Sequence, residues 1–187
     1  MLPSDLPRRR WTLAEVEQMV AAGILRDDER VELIGGEIVA MSLKGRRHEI
    51  IRGALVNSWG KLRPDDVALH SETPLQLDES VAPEPDIILH PTTLLPPDVR
   101  GNTVLLAVEI SDSSYSYDLQ TKAPIYAAFG VREYWVIDAK SLITTVHRKP
   151  SATGYAERTT HASNETVRPE AVPMLGMSLA ELVPSLL

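Results

Sequence analysis

The stretch that most constrains this chain is Thr103-Val104-Leu105-Leu106-Ala107-Val108-Glu109-Ile110, a run of strand-forming apolar residues interrupted by one carboxylate. Apolar residues at both odd and even positions need cover on both faces, which places the run in a sheet flanked by helices. Glu109 is therefore expected to be buried. An unpaired buried carboxylate costs roughly several kcal/mol or takes up a proton, so a lysine or a metal ion should compensate it. Two features qualify as companions: Lys122 in the next expected helix, and Pro85-Asp86-Ile87-Ile88-Leu89, where a second acid heads a second apolar strand.

The flanking segments give an α/β order. Thr12-Leu13-Ala14-Glu15 has the form of a capping box and starts a helix over 12–22 that stops at Gly23. Arg30 to Ile34, Gly35-Gly36 and Glu37 to Met41 read as a tight hairpin, with Glu32 on the face opposite Val31 and Leu33. His48 opens a helix carrying Ile51, Leu55, Val56, Trp59 and Leu62 on one face, with Lys44, Arg46, Arg47 and Arg52 gathered around its start. Val67 to His70 and Thr73 to Leu77 form one bent strand or two short ones, and Pro83 and Pro85 delay the next strand's pairing until Asp86.

A helix from Tyr117 to Phe129 follows the Glu109 strand. Lys122, Ile125, Tyr126 and Phe129 share one stripe of it, so Lys122 should face the sheet. Pro124 removes a helical hydrogen bond, so this helix begins late or kinks there. Strands at Tyr134–Asp138 and Ile143–His147, an edge strand at Tyr155–Thr159 and a helical turn at Ser178–Leu182 complete the chain.

At 187 residues the sequence fits one domain, 1–187, with a proper core. The absence of cysteine excludes disulfides, thiol nucleophiles and cysteine-ligated metals, leaving oxygen and histidine as ligands. Apolar windows are too short to span a bilayer, and the basic segment Pro7-Arg8-Arg9-Arg10 is not followed by a signal-like apolar stretch, so a cytoplasmic protein with no membrane partner is expected. The net charge of −7 argues against nucleic acid at first sight. Its distribution softens that objection: residues 64–140 hold 13 acids against 4 bases, whereas residues 1–63 hold 11 bases against 9 acids.

Two strand-borne carboxylates with a lysine close behind suit Mg²⁺ or Mn²⁺, which accept oxygen ligands, keep several waters and share phosphate oxygens. Such an ion acidifies water and stabilises charge on a phosphorane-like transition state, with the lysine orienting the water or neutralising charge. At these residues the chain resembles the Uma-type family of restriction endonucleases, within the PD-(D/E)xK nuclease superfamily. The matching segments are Arg30 to Ile38, His48, Pro83 to Ile87, Val108 to Ser111, Asp118 with Lys122, Tyr126, and Gly130 to Asp138. The resemblance implies a restriction-endonuclease-like fold, a central mixed β-sheet flanked by helices, with an N-terminal helix and β-hairpin extension. It also implies that Asp86 and Glu109 bind the metal, that Lys122 is the catalytic lysine and that Glu32 is a further acidic site residue. The superfamily's usual lysine position, two residues after the acid, is Ser111 here; family members resemble this chain in carrying the lysine on the following helix.

The expected function is hydrolysis of phosphodiester bonds in DNA, with a homodimer as one way to cut both strands. The alternative is a non-catalytic nucleic-acid-binding or regulatory module that keeps the nuclease fold, a reading favoured by the acidic balance and the absence of a DNA-reading motif. Each residue also has a plainer role. Asp86 could cap a turn, Lys122 could pair with Asp118, Glu32 could be an exposed hairpin residue, and His48, which could hydrogen-bond a phosphate or a nearby acid, could equally be a partly exposed structural histidine. Tyr134 and Trp135 read as core, and His70, His90, His147 and His161 show no ligand spacing.

Overall fold

Six strands form one mixed sheet in the order β3-β4-β5-β6-β7-β8: β3 (Val67–Ser71), β4 (Ile87–Pro91), β5 (Leu106–Ser111), β6 (Glu133–Asp138), β7 (Thr144–Ser151) and β8 (Gly154–His161). All neighbours are antiparallel except β5 and β6, which run parallel. The computed structural model describes residues 8–26 and 28–187, so Pro7 at the head of the basic segment lies outside it. The chain divides into two units, Met1–Met41 with Gln76–Pro83, and Ser42–Leu75 with Glu84–Leu187.

The larger unit contains the sheet. Every residue of β5 is buried, as a strand apolar at successive positions requires. Period-two alternation then sorts its side chains. Leu106, Val108 and Ile110 enter the main core with Ile51, Leu55 and Trp59 of helix α2 (Arg46–Leu62), together with Ile87, Leu89, Trp135 and Ile137. Trp59 meets Trp135 edge-on, ring centroids 6.0 Å apart. Val167, Val172, Leu175 and Met177 bring the C-terminal segment into the same cluster.

A parallel β5–β6 pair needs a crossover, and the segment after β5 supplies it. It begins as a helical turn at Tyr115–Tyr117, passes through a π-helical turn at Asp118–Lys122 and becomes α-helix over Ala123–Ala128. The expected single helix over 117–129 is thus a composite. Pro124 falls in the first turn of the α-helical part, where its missing N–H breaks no ladder. A second departure lies after β3. The strand expected over Thr73–Leu77 does not form, because Glu72 adopts φ 53° and turns the chain out of the sheet.

The smaller unit is built from helix α1 (Leu13–Ala21) and the hairpin β1 (Val31–Ile34) with β2 (Glu37–Ala40). The capping box holds: the Glu15 N–H donates to Thr12 Oγ1 at 3.3 Å, and the Thr12 N–H to Glu15 Oε2 at 2.9 Å. Gly35 and Gly36 take φ of 58° and 78°, the left-handed pair a tight hairpin turn demands. Val16, Leu33 and Ala82 form its core. No helix among the described residues is long and apolar enough to cross a membrane.

Glu133 ties the C-terminal segment to the sheet. It is 1% exposed and accepts from Trp135 Nε1 at 2.7 Å, Arg148 Nη2 at 2.7 Å and the Glu170 N–H at 2.7 Å. Glu133→Ala would leave these buried donors without an acceptor and is expected to cost about 3 kcal/mol, measured by chemical denaturation.

Candidate functional site

The helix-facing side of β5 beyond the apolar core carries Glu109 and Ser111, each meeting a residue of the crossover. Lys122 Nζ donates to Glu109 Oε1 at 3.0 Å, and Tyr126 Oη donates to the same oxygen at 3.0 Å. Ser111 Oγ donates to Asp118 Oδ2 at 2.6 Å, and Ser114 Oγ to the same atom at 2.7 Å. Lys122 Nζ also lies 4.0 Å from Asp118 Oδ1. Glu109, Lys122 and Asp118 are all nearly inaccessible, at 5%, 4% and 2% exposure. Lys122 therefore faces the sheet, as its stripe requires, and pairs with the strand acid as well as lying near Asp118.

Asp86 reaches the same part of β5 from the neighbouring strand. Ile87 pairs with Val108, so the residue before it stands beside the Glu109 end of β5. Its Oδ2 accepts the Ile110 N–H at 2.7 Å. Its Oδ1 takes Lys44 Nζ at 2.8 Å and His48 Nε2 at 2.9 Å. Burial would raise the Asp86 carboxyl, but the His48 and Lys44 contacts outweigh it and hold the group below the ordinary aspartate range. Asp118 goes the other way: burial pushes it up against the opposing pull of Lys122 and the two serine hydroxyls.

Asp86, Glu109 and Lys122 thus gather around the end of β5. Glu32 belongs to the smaller unit, where it is 4% exposed on β1 and not the exposed hairpin residue of its plainer reading. His48 is 3% exposed, with its second nitrogen, Nδ1, 3.1 Å from Glu49 Oε1. The sequence singled out neither Lys44 nor Glu72. Lys44 sits in a coil with no periodicity, and only the nearby basic cluster hinted at it. Tyr126 was readable as a neighbour of Lys122 on one stripe, but its hydroxyl's attachment to Glu109 was not.

Among the described residues, no group of three or more His, Asp or Glu side chains is arranged to hold a metal ion. Two carboxylates nevertheless suit Mg²⁺ or Mn²⁺, which takes one or two protein carboxylates and completes its shell with water and phosphate oxygens.

Lys122→Met is expected to destabilise the fold by about 3 kcal/mol, because Glu109 would keep a buried charge without its cation. Adding Glu109→Gln should recover much of that loss, and denaturation of the two single variants and the double variant measures the coupling. The Asp86 contacts stabilise the fold above the ordinary aspartate range and are lost as pH falls through the lowered folded value. Asp86→Asn should therefore flatten the acid limb of the stability profile, followed by thermal unfolding between neutral pH and about pH 2.

No curated protein matches the chain significantly. Among solved structures, one described as "a putative nuclease belonging to DUF820 from Anabaena variabilis" superposes with a TM-score of 0.74 at 18% identity, covering 94% of this chain and 99% of that one. This likeness establishes a shared fold. The type IIG restriction endonuclease BpuSI matches at 14% identity and a TM-score of 0.37, over 62% of this chain and 14% of that one, too slight a likeness to bear on the argument. The family model described as "Uma2: Putative restriction endonuclease" matches residues 13–180, and the chain belongs to that family, with its restriction-endonuclease-like α/β fold.

Proposed function

We propose that this protein is a metal-dependent endonuclease that hydrolyses phosphodiester bonds in DNA, with Asp86 and Glu109 holding Mg²⁺ or Mn²⁺ and Lys122 as the catalytic lysine. The observation that carries the reading is the buried Lys122–Glu109 contact at 3.0 Å, formed beside the strand position that also anchors Asp86. A lysine held against a strand carboxylate, next to a second carboxylate, can supply the metal ligands and the cation that phosphodiester hydrolysis needs. When bound, the ion supplies Lewis acidity to the phosphate and lowers the pKa of water.

The protein's own groups do the positioning. The Ile110 N–H and His48 Nε2 each fix one oxygen of Asp86. Tyr126 Oη holds Glu109 Oε1, so the carboxylate does not depend on Lys122 alone for its orientation. Lys122 Nζ would then orient the attacking water through a hydrogen bond or stabilise the negative charge that develops on the phosphate oxygens. Glu32 enters as a further acidic residue on the strength of the family resemblance alone. Arg46 and Arg47 add positive charge at the start of α2 within an acidic chain, which suits a phosphate backbone, whereas Lys44 and Arg52 are paired with acids. Two copies paired isologously would allow both strands to be cut.

The rival reading is a module that retains the fold without catalysis. Its support is that Asp86 and Glu109 both already contact internal cations. Cleavage of supercoiled and linear DNA with Mg²⁺ or Mn²⁺ separates the two. The wild type should cut, and Glu109→Gln and Lys122→Met should each lose at least about 100-fold in rate. Equal cleavage by all three proteins would sink the assignment, and metal binding by calorimetry without any hydrolysis would favour the module.

A further inference from the structure

We propose that Lys44 is a built-in competitor for a divalent cation at Asp86: its ammonium holds Oδ1 and would move fully onto Glu72 when such a cation binds. This inference rests on the reading of Asp86 as a metal ligand. It adds a control element that neither the family match nor the catalytic set contains.

Lys44 lies in the coil that leads into α2, with a side chain only 11% exposed. Its Nζ is shared between two carboxylates, 2.8 Å from Asp86 Oδ1 and 2.6 Å from Glu72 Oε1. A carboxylate oxygen has two lone-pair positions. On Asp86 Oδ1 both are taken, one by Lys44 and the other by His48 Nε2 at 2.9 Å. A divalent cation using that oxygen must displace a contact; Lys44 Nζ already has a second carboxylate at 2.6 Å to move onto, whereas the His48 ring is fixed in α2 with its Nδ1 on Glu49. Lys44 is therefore the contact that yields.

Glu72 is placed to receive it. This residue follows β3 with φ 53°, a left-handed conformation that a non-glycine residue adopts at a cost. The turn brings its N–H to the Asp86 carbonyl oxygen at 3.2 Å and its carboxylate to both Lys44 and Arg52, the latter at 3.3 Å. Arg52 Nη1 also donates to Ser71 Oγ, which donates to the Asp86 carbonyl oxygen. The residue that carries the receiving carboxylate is thus bonded through its own N–H to the backbone of the acid that Lys44 leaves. The lysine keeps one partner throughout the exchange, so the movement does not strand a buried charge.

Calorimetric titration with Mn²⁺, without DNA, tests this. Lys44→Gln should bind Mn²⁺ roughly tenfold more tightly than the wild type. Glu72→Gln should weaken binding, because Lys44 would lose the carboxylate that receives it and be held more strongly by Asp86. General electrostatics also predicts both signs, but it predicts that the two effects add. Competition predicts instead that Glu72→Gln has little effect once Lys44 is Gln. Additive effects, or binding indifferent to Lys44 but abolished by Asp86→Asn, would overturn the proposal and leave the metal-site reading intact. Binding that ignores Asp86→Asn, or no binding by any variant, would overturn both.

Discussion

The buried contact between Glu109 and Lys122 sets the terms for the larger unit. A carboxylate in a strand covered on both faces requires a compensating cation, and here an element packed on the sheet delivers it. The crossover that a parallel β5–β6 pair demands is that element. Its phase is therefore dictated by charge as much as by apolar packing. In an α-helix each step of four residues drifts about 40° around the axis, so Asp118 and Tyr126 would diverge by about 80°. The π-helical turn over Asp118–Lys122 winds less per residue and offsets the drift. Asp118, Lys122 and Tyr126 consequently remain buried together against β5, at 2%, 4% and 0% exposure.

The same strand keeps this polar line apart from the core. Alternation sends Leu106, Val108 and Ile110 into the cluster with α2 and leaves Glu109 and Ser111 for the crossover. Net stability comes chiefly from the apolar side, because a buried ion pair roughly balances its own desolvation. Glu109 and Lys122 together contribute little to folding compared with two apolar residues of their size, although removing either alone is costly.

The parts of this arrangement legible in the sequence are those governed by periodicity. An apolar run broken by Glu109 implied a covered strand and a compensating cation, and the spacing of Lys122, Ile125 and Tyr126 placed that cation on the inward stripe. The capping box at Thr12 and Glu15, and the glycine pair at 35 and 36, were equally local and equally readable. Glu72 and Lys44 belong to segments without a repeating pattern, so their convergence on Asp86 depends on tertiary folding. The left-handed turn at Glu72 had no sequence signal, since glycine or asparagine would ordinarily stand there. The π-turn was half visible: Pro124 announced an irregularity, but not the way the backbone would absorb it.

Ser111 shows why the lysine's place in the chain is not a free choice. It stands two residues after Glu109 on the same strand, so its side chain points to the same face. It is 0% exposed, and its hydroxyl is committed to Asp118. A lysine at 111 would put a second ammonium among Glu109, Asp118 and Lys122, where Glu109 already accepts from one ammonium and one hydroxyl. A small hydroxyl at 111 instead satisfies Asp118 without adding charge, leaving the helix to supply the cation. Residue 111 and residue 122 are thus a linked pair: a serine on the strand and a lysine on the helix meet the same electrostatic requirement that a lysine on the strand would meet alone.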